Sequence, residues 1–202
     1  MKKKWITGMI LILSASGLVL PNCKQQKEDN SVLMIALALA YIRETNINNV
    51  LSDNGTVYIK AQNLTWEKCS QIDTAGTSSW NQANISCASS AGTFQYCSVA
   101  DSSCDNGTIL NGTGNSEAWS ACKNSTLAGR SWRVPTITEL QELRDMYPAD
   151  LSLLEKTGGN YWSSSAANTT EAWGIQLDNT NPPFRYAKNG SFNVLRCVSD
   201  GP

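Results

Sequence analysis

Six of the seven cysteines constrain this chain more than any other feature of its sequence. The remaining one, Cys23, directly follows an N-terminal leader that predicts export, and an even number of cysteines in an exported chain predicts disulfide bonds. Six cysteines can pair in many ways, and spacing alone does not choose among them. A metal site is the weaker alternative, because the chain has no C-x-x-C pair. The six are Cys69, Cys87, Cys97, Cys104, Cys122 and Cys197.

The chain contains no histidine, which excludes a large part of enzyme chemistry. A Ser-His-Asp triad, a Cys-His dyad and a histidine-ligated zinc site all need that side chain. Glu139 and Glu142 share one face of a predicted helix and resemble a carboxylate pair, but helix capping explains Glu139. The three serines at 163–165 lack a G-x-S-x-G context. We therefore predict no catalytic residue, no metal, no cofactor and no enzymatic activity.

The N-terminal leader has the form of a bacterial lipoprotein signal. Three lysines at 2–4 precede the apolar run WITGMILILSASGLVL, so residues 1–22 are expected to be a signal peptide. Cys23 would then carry the lipid, palmitate among its chains, and an ordinary secretory signal cleaved nearby is the alternative. Residues 23–48 are expected to form a lipidated tether and a short helix. The helix corresponds to the apolar run at 32–42, which is too short to span a bilayer.

Charge weighs against nucleic acid as a partner. The whole chain has 16 basic and 17 acidic residues, and the leader removes three lysines and no acid. The remaining chain carries 13 basic and 17 acidic residues, a net charge of −4. Nucleic-acid binding needs a basic face, so we predict no nucleic-acid partner.

The segment SWRVPTITELQEL, at 131–143, predicts a sharp corner that leads into a helix. Pro135 ends the preceding strand, because it has a fixed φ and no N–H to donate. Thr136 and Glu139 have the spacing of a capping box. Arg133 is expected to pair with a carboxylate or to donate to carbonyls rather than to hold a ligand. The apolar helical positions are Ile137, Leu140, Leu143 and Tyr147, and Pro148 ends the pattern.

The remaining patterns predict an α+β domain over residues 49–202. Residues 69–114 are rich in Ser, Thr, Asn and Gly and form a cysteine-rich loop region that disulfides would brace. SEAWSACKNS, at 116–125, predicts a short helix with Ala118, Trp119 and Cys122 on one face. Antiparallel strands follow it, and FRYAKNGSFNVLRCV predicts a hairpin around KNG whose last strand holds Cys197.

The order of the motifs LTWEKC, AWSAC, GRSWRVPTITELQEL, YWSSS, AWGIQLD and VLRCV resembles the Lcl C-terminal domain family. The likeness covers about residues 57–199, and the leader resembles those of spirochaete lipoproteins. The corner is also similar to a short segment of formylglycine-generating enzymes, which have a C-type-lectin-like fold. The resemblance implies a disulfide-braced, loop-rich, C-type-lectin-like domain with two helices and antiparallel strands.

Family resemblance also implies a disulfide pairing. The first helix and the last strand would lie side by side, joined by Cys122–Cys197. The resemblance leaves the other four cysteines to pair among themselves and does not fix how. The pairs Cys69–Cys87 and Cys97–Cys104 are favoured because they join nearest neighbours in the sequence. The calcium-lectin motifs Glu-Pro-Asn and Gln-Pro-Asp are absent from the sequence, so the likeness does not imply calcium-dependent sugar binding.

Adhesion is the function that the resemblance implies. We expect a surface-exposed outer-membrane lipoprotein that binds a host matrix protein or a glycan such as a glycosaminoglycan; a structural component of the outer envelope is the alternative. A basic patch of Arg185, Lys188 and Arg196 would serve a sulfated glycan. Trp162 is expected either to stack on a sugar or to lie in the core. The candidate ligand-binding residues are Arg185, Tyr186, Lys188, Phe192 and Trp162.

Overall fold

The computed structural model describes residues 49–202 apart from 53, 89, 147–153 and 156–157. The predicted signal peptide at 1–22, the lipidated Cys23 and the tether with its apolar helix at 23–48 therefore lie outside the described residues, as do Tyr147 and Pro148. None of the helices in the described part of the chain has the length and apolar character needed to cross a bilayer.

Two α-helices, a short 3₁₀ helix and nine strands make up the described elements. The helices are α1 (Glu117–Asn124), the 3₁₀ helix (Leu127–Gly129) and α2 (Ile137–Asp145). The strands are β1 (Asn49–Ser52), β2 (Thr56–Ile59), β3 (Leu64–Glu67), β4 (Trp80–Asn81), β5 (Ser86–Cys87), β6 (Asn160–Ala166), β7 (Glu171–Gln176), β8 (Phe184–Ala187) and β9 (Val198–Asp200).

All strand pairs in these sheets are antiparallel, as the α+β prediction requires. One sheet has the order β1-β2-β3-β9, a second has the order β6-β7-β8, and β4 pairs with β5 in a two-stranded hairpin. The first sheet joins the two ends of the domain, because β9 pairs with β3 through Trp66 and Val198. Among the described residues of 69–114, the regular elements are the short strands β4 and β5.

The predicted hairpin around KNG is wrong. Strand β8 pairs with β7, in the register Trp173 to Arg185, and not with the chain that follows the turn. That chain instead forms bridges from Asn193 to Phe94 and from Val194 to Tyr161, and then enters β9. Pairing with residues distant in the sequence replaces the local hairpin because it buries this segment on both sides. All residues from Val194 to Ser199 are buried.

Both helices begin where the sequence predicted. In α1 the buried positions are Ala118, Ala121 and Cys122, while Trp119 is only partly buried. The side chain of Ser116 accepts from the amide of Trp119 at 3.0 Å, which caps the helix. Helix α2 buries Leu140 and Leu143, and its last helical residue is Asp145.

The core consists of two clusters. The first surrounds α1 and two disulfides and contains Phe94, Tyr96, Cys97, Cys104, Leu110, Ala118, Ala121, Cys122, Trp132, Val134, Trp162, Ala172, Leu195 and Cys197. The second lies between α2 and the two larger sheets and contains Val57, Ile59, Leu64, Trp66, Leu140, Leu143, Leu154, Tyr161, Ile175, Leu177, Val194 and Val198.

Three disulfides brace the domain. Cys122–Cys197 is the pair that the resemblance implies, and the pairing left open among the other four cysteines is the favoured one, Cys69–Cys87 and Cys97–Cys104. The Cys122–Cys197 bond joins α1 to the chain just before β9 and spans 75 residues. In the chain-entropy model a loop of that length stabilises the fold by about 4 kcal/mol, the largest contribution of the three. The other two bonds close loops within the region of residues 69–114 that has little regular structure of its own.

Candidate functional site: the Arg133 corner and its cavity

The corner before α2 is held in place by strand-like pairing. The amide and carbonyl of Arg133 exchange hydrogen bonds of 2.9 Å with those of Val198, and the carbonyl of Pro135 accepts from the amide of Ser164 at 2.7 Å. Because side chains alternate along an extended chain, Trp132 and Val134 point into the first core cluster while Arg133 between them faces outward. The guanidinium group of Arg133 therefore projects outward from a backbone that these hydrogen bonds hold in place.

Arg133 and Glu139 form a two-pronged ion pair. Nη1 and Nη2 of Arg133 donate to Oε2 and Oε1 of Glu139 at 2.9 and 2.7 Å, and the Glu139 carboxylate also accepts from the amide of Thr136. The hydroxyl of Thr136 accepts from the amide of Glu139, which completes the predicted capping box. Burial alone would raise the pKa of Glu139, but the bonds from Arg133 and Thr136 outweigh it, and that pKa lies below the ordinary value.

A second carboxylate and a second arginine complete the corner. Nη2 of Arg133 also donates to Oδ1 of Asp200, at 2.8 Å. Arg130 lies on the other side of the same residue, and its Nη2 donates to the carbonyls of Asp200 and Gly201 at 3.1 and 2.8 Å. Sequence reasoning missed Arg130, because its partners are backbone carbonyls from the far end of the domain, which carry no sequence signal.

A cavity of about 230 Å³ opens beside Arg133. Its wall is mainly apolar and comes from four parts of the chain: the loop before α1, α1 itself, the corner and β6. None of the described residues that line it is acidic. The lining residues are Ile109, Leu110, Trp119, Arg133, Val134, Thr136 and Ser164.

A glycine positions the tryptophan in this wall. Gly112 has φ +79°, a left-handed conformation that glycine adopts freely, and a Cβ at this position would overlap the indole ring of Trp119. Ile109 forms the exposed edge of the cavity, with its backbone bridged to Ser165 of β6. The exposed isoleucine and the fixed indole therefore frame an apolar opening.

The predicted basic patch does not form. Lys188 is fully buried in an ion pair, with its Nζ 2.7 Å from Oδ2 of Asp105. Arg196 is also fully buried and donates to the carbonyls of Glu67, Lys68 and Glu155. Both cations hold separate segments of backbone together, so neither is available to a polyanion, and only Arg185 of the three is exposed.

Trp162, another predicted ligand-binding residue, is completely buried. Its indole N–H donates to the carbonyl of Phe94 at 2.7 Å, and its ring packs edge-on against Tyr96 and Tyr186. The prediction that Trp162 contacts a ligand is wrong, because the first core cluster encloses it. Its alternative, a place in the core, is correct.

The other predicted ligand-binding residues remain near the surface. Arg185 lies over the ring of Trp173, 5.4 Å from its centroid, on the exposed side of the β7–β8 pair. Tyr186 is partly buried and accepts a 2.7 Å hydrogen bond from Asn160, while Phe192 is 73% exposed. None of the three lines the corner cavity.

Among the described residues, one group has the composition of a metal site: Cys69, Cys87 and Glu155, whose ligand atoms lie within 4.8 Å of one another. The two sulfurs are joined in a disulfide, so neither can serve as a thiolate ligand. The group is therefore a structural disulfide with a carboxylate beside it.

Fold and site together define a small, disulfide-braced α+β domain that presents an apolar cavity beside an arginine corner. The chain belongs to the Lcl C-terminal domain family, whose sequence model matches residues 55–199. A comparison with curated proteins gives no match.

Proposed function

We propose that this domain is a binding module that holds a host matrix protein through the corner cavity, displayed on the cell surface by a lipid on Cys23. The cavity carries the proposal. It is concave and apolar, with a tryptophan and an arginine in its wall, two residue types that dominate binding energy at protein interfaces. An apolar side chain of the partner would fill it.

The scaffold around the cavity supports this role. Three disulfides brace the domain, and the backbone at Gly112 packs so closely on the ring of Trp119 that a side chain there would overlap it. A cavity that exists before binding requires little ordering of side chains when the partner arrives, and this lowers the cost of association.

A protein partner fits better than a sulfated glycan. Polyanion binding needs clustered, exposed cations, and two of the three expected ones, Lys188 and Arg196, are buried. The exported chain without its leader also carries a net charge of −4. We propose no catalytic activity, since the described residues that line the cavity include neither a carboxylate nor a cysteine.

A structural component of the outer envelope is the second candidate. Outside the cavity, the domain exposes the apolar side chains of Ile85, Val99 and Phe192. A permanent protein neighbour in the envelope would cover side chains of this kind.

The proposal is tested by measuring binding of the oxidised full-length chain to immobilised collagen, fibronectin, laminin and heparin at physiological salt. Ile109→Ser removes the exposed edge of the cavity, and Val99→Ser is its matched control. Val99 lies in the same loop region, is 46% exposed where Ile109 is 44% exposed, and does not line the cavity.

Saturable binding to a matrix protein that Ile109→Ser weakens and Val99→Ser leaves intact supports the proposed function. Equal binding by both variants contradicts the assignment of the cavity as the site. If no matrix protein binds above the level of the reduced, unfolded chain, the envelope role becomes the better account.

A further inference from the structure

The two carboxylates on Arg133 differ in how firmly they are held. Glu139 uses both oxygens, its side chain is mostly covered, and it is also bonded to the amide of Thr136. Asp200 uses one oxygen, and its side chain is 78% exposed. An exposed ion pair of this kind stabilises a protein by at most about 1 kcal/mol, so Asp200 is the partner that another carboxylate can replace.

Arg133 can accept such a replacement without losing its structural role. Its side chain is 35% exposed, and Arg133 is one of the residues that line the cavity. The two hydrogen bonds from Arg133 to Glu139, which support the helix cap, would remain. The N–H now directed at Asp200 would turn to the incoming group.

Arg130 adds positive charge at the same place. Its Nη2 donates to the carbonyls of Asp200 and Gly201, and its buried Nε has no acceptor among the residues that the structure describes. Once the Asp200 side chain turns into solvent, Arg133 keeps one carboxylate partner, Glu139, while Arg130 stays bonded to the backbone of Asp200 and Gly201. The corner would then have a local excess of positive charge beside an apolar cavity.

From these contacts we infer that the corner recognises a carboxylate adjacent to a large apolar group, with the carboxylate replacing Asp200 on Arg133 and the apolar group entering the cavity. This inference rests on the proposed function and names the partner's chemistry: a segment with Asp or Glu next to an aromatic or large aliphatic residue. A phenyl ring is small enough, since apolar cavities of about 150 Å³ hold benzene.

The test uses two small probes of nearly the same shape, one with a carboxylate and one with a neutral carboxamide. N-acetyl-L-phenylalanine carries the ring and a carboxylate, and N-acetyl-L-phenylalaninamide carries the same ring with a neutral carboxamide in place of the carboxylate. The oxidised full-length chain is titrated with each, and NMR follows the indole resonance of Trp119. The acid is expected to bind on the order of 10-fold more tightly than the amide, because it gains a charge-assisted hydrogen bond.

Asp200→Asn supplies the decisive variant, because it removes the competing carboxylate and leaves Arg133 and its helix cap intact. Affinity for the acid should rise roughly 2- to 5-fold, and affinity for the amide should not change. Asp145→Asn is the matched control. Asp145 is also exposed and paired with an arginine, Arg144 at 3.2 Å, but neither residue lines the cavity.

The outcomes separate this inference from the proposed function. If the acid and the amide bind equally, or Asp200→Asn leaves the acid's affinity unchanged or lower, carboxylate recognition is overturned while the cavity remains a binding site. If neither probe shifts Trp119, carboxylate recognition is overturned as well, and binding to the matrix proteins decides the proposed function by itself.

Discussion

The Nζ of Lys188 and the Oδ2 of Asp105 lie 2.7 Å apart, and neither side chain has any exposed surface. The same Nζ donates to the carbonyls of Asp101 and Thr169 at 3.1 and 2.8 Å. Lys188 follows β8, whereas Asp105 follows the Cys97–Cys104 disulfide. A single ammonium group therefore connects the second sheet to the loop region that builds one wall of the cavity.

Lys188→Met should destabilise the domain by about 3–5 kcal/mol, because it leaves the Asp105 carboxylate buried without its cation. Urea unfolding of the oxidised chain measures the loss. Arg185→Met, three residues earlier on the exposed side of β8, is the control and should cost less than about 1 kcal/mol through the lost contact with Trp173. Similar losses in both variants would mean that the buried pair has no special role.

Gly112→Ala should displace Trp119 and weaken binding at the cavity, because the added methyl group overlaps the indole ring. Gly107→Ala separates this clash from backbone strain: Gly107 has φ +86°, close to the +79° of Gly112, but has open space around it. The strain common to both should cost about 1–2 kcal/mol. Near-ultraviolet circular dichroism should change in Gly112→Ala alone, and an identical response in the two variants would contradict this packing.

Glu67→Gln should change how stability depends on pH. Burial raises the pKa of Glu67 above 4.5, and bonds from Ser125 and Gln71 offset this only in part. The folded state therefore holds a proton more tightly than the unfolded state, and the wild type should lose stability as pH rises from 4.5 through the raised pKa. Glu67→Gln should lack this loss, and urea unfolding from pH 4 upward would measure it. Parallel pH profiles for wild type and variant would refute it.

Glu139 should make stability depend on pH in the opposite direction, and the same urea unfolding experiment measures it. Because its pKa lies below 4.5 in the folded state, its contribution to stability is complete above 4.5 and is lost as pH falls through the lowered pKa. Glu139→Gln should therefore be least stable relative to wild type at neutral pH, and the difference should shrink in acid. A difference that grows in acid would contradict the Arg133 pairing.

Removing the Cys122–Cys197 bond by paired Cys→Ala changes should cost about 4 kcal/mol, whereas removing Cys97–Cys104 should cost about 2 kcal/mol in the same chain-entropy model. The ratio follows from loops of 75 and 7 residues. Denaturant unfolding of the two double variants without reductant compares them directly. A larger loss from the short loop would show that local strain or packing, rather than loop closure, sets their contribution.

Local sequence signals predicted the local structure. The capping box of Thr136 and Glu139 spans three residues and follows from short-range geometry. The seven-residue spacing of Cys97 and Cys104 favours their disulfide but leaves other pairings open. Family resemblance supplied the Cys122–Cys197 pair, which local patterns do not reveal. The cavity could be predicted only in part: the corner and the α1 helix were recognised, but not their meeting with the chain at 109–112.

Long-range partners account for the errors. Lys188 and Arg196 looked exposed because charged residues usually are, but the groups that satisfy them include carbonyls 87 and 128 residues away in the sequence. The hairpin around KNG failed for the same reason, since β8 and β9 each found partners elsewhere. A turn signal states that the chain reverses, but not which strand lies beside it.

Amide hydrogen exchange tests the central claim most directly. The oxidised full-length chain is compared with and without whichever matrix protein it binds. If the corner cavity is the site, protection should increase at 108–119 and 130–136, around Trp119 and Arg133. Protection confined to 184–192, around Arg185 and Phe192, would contradict the account and place the partner on the exposed side of the second sheet.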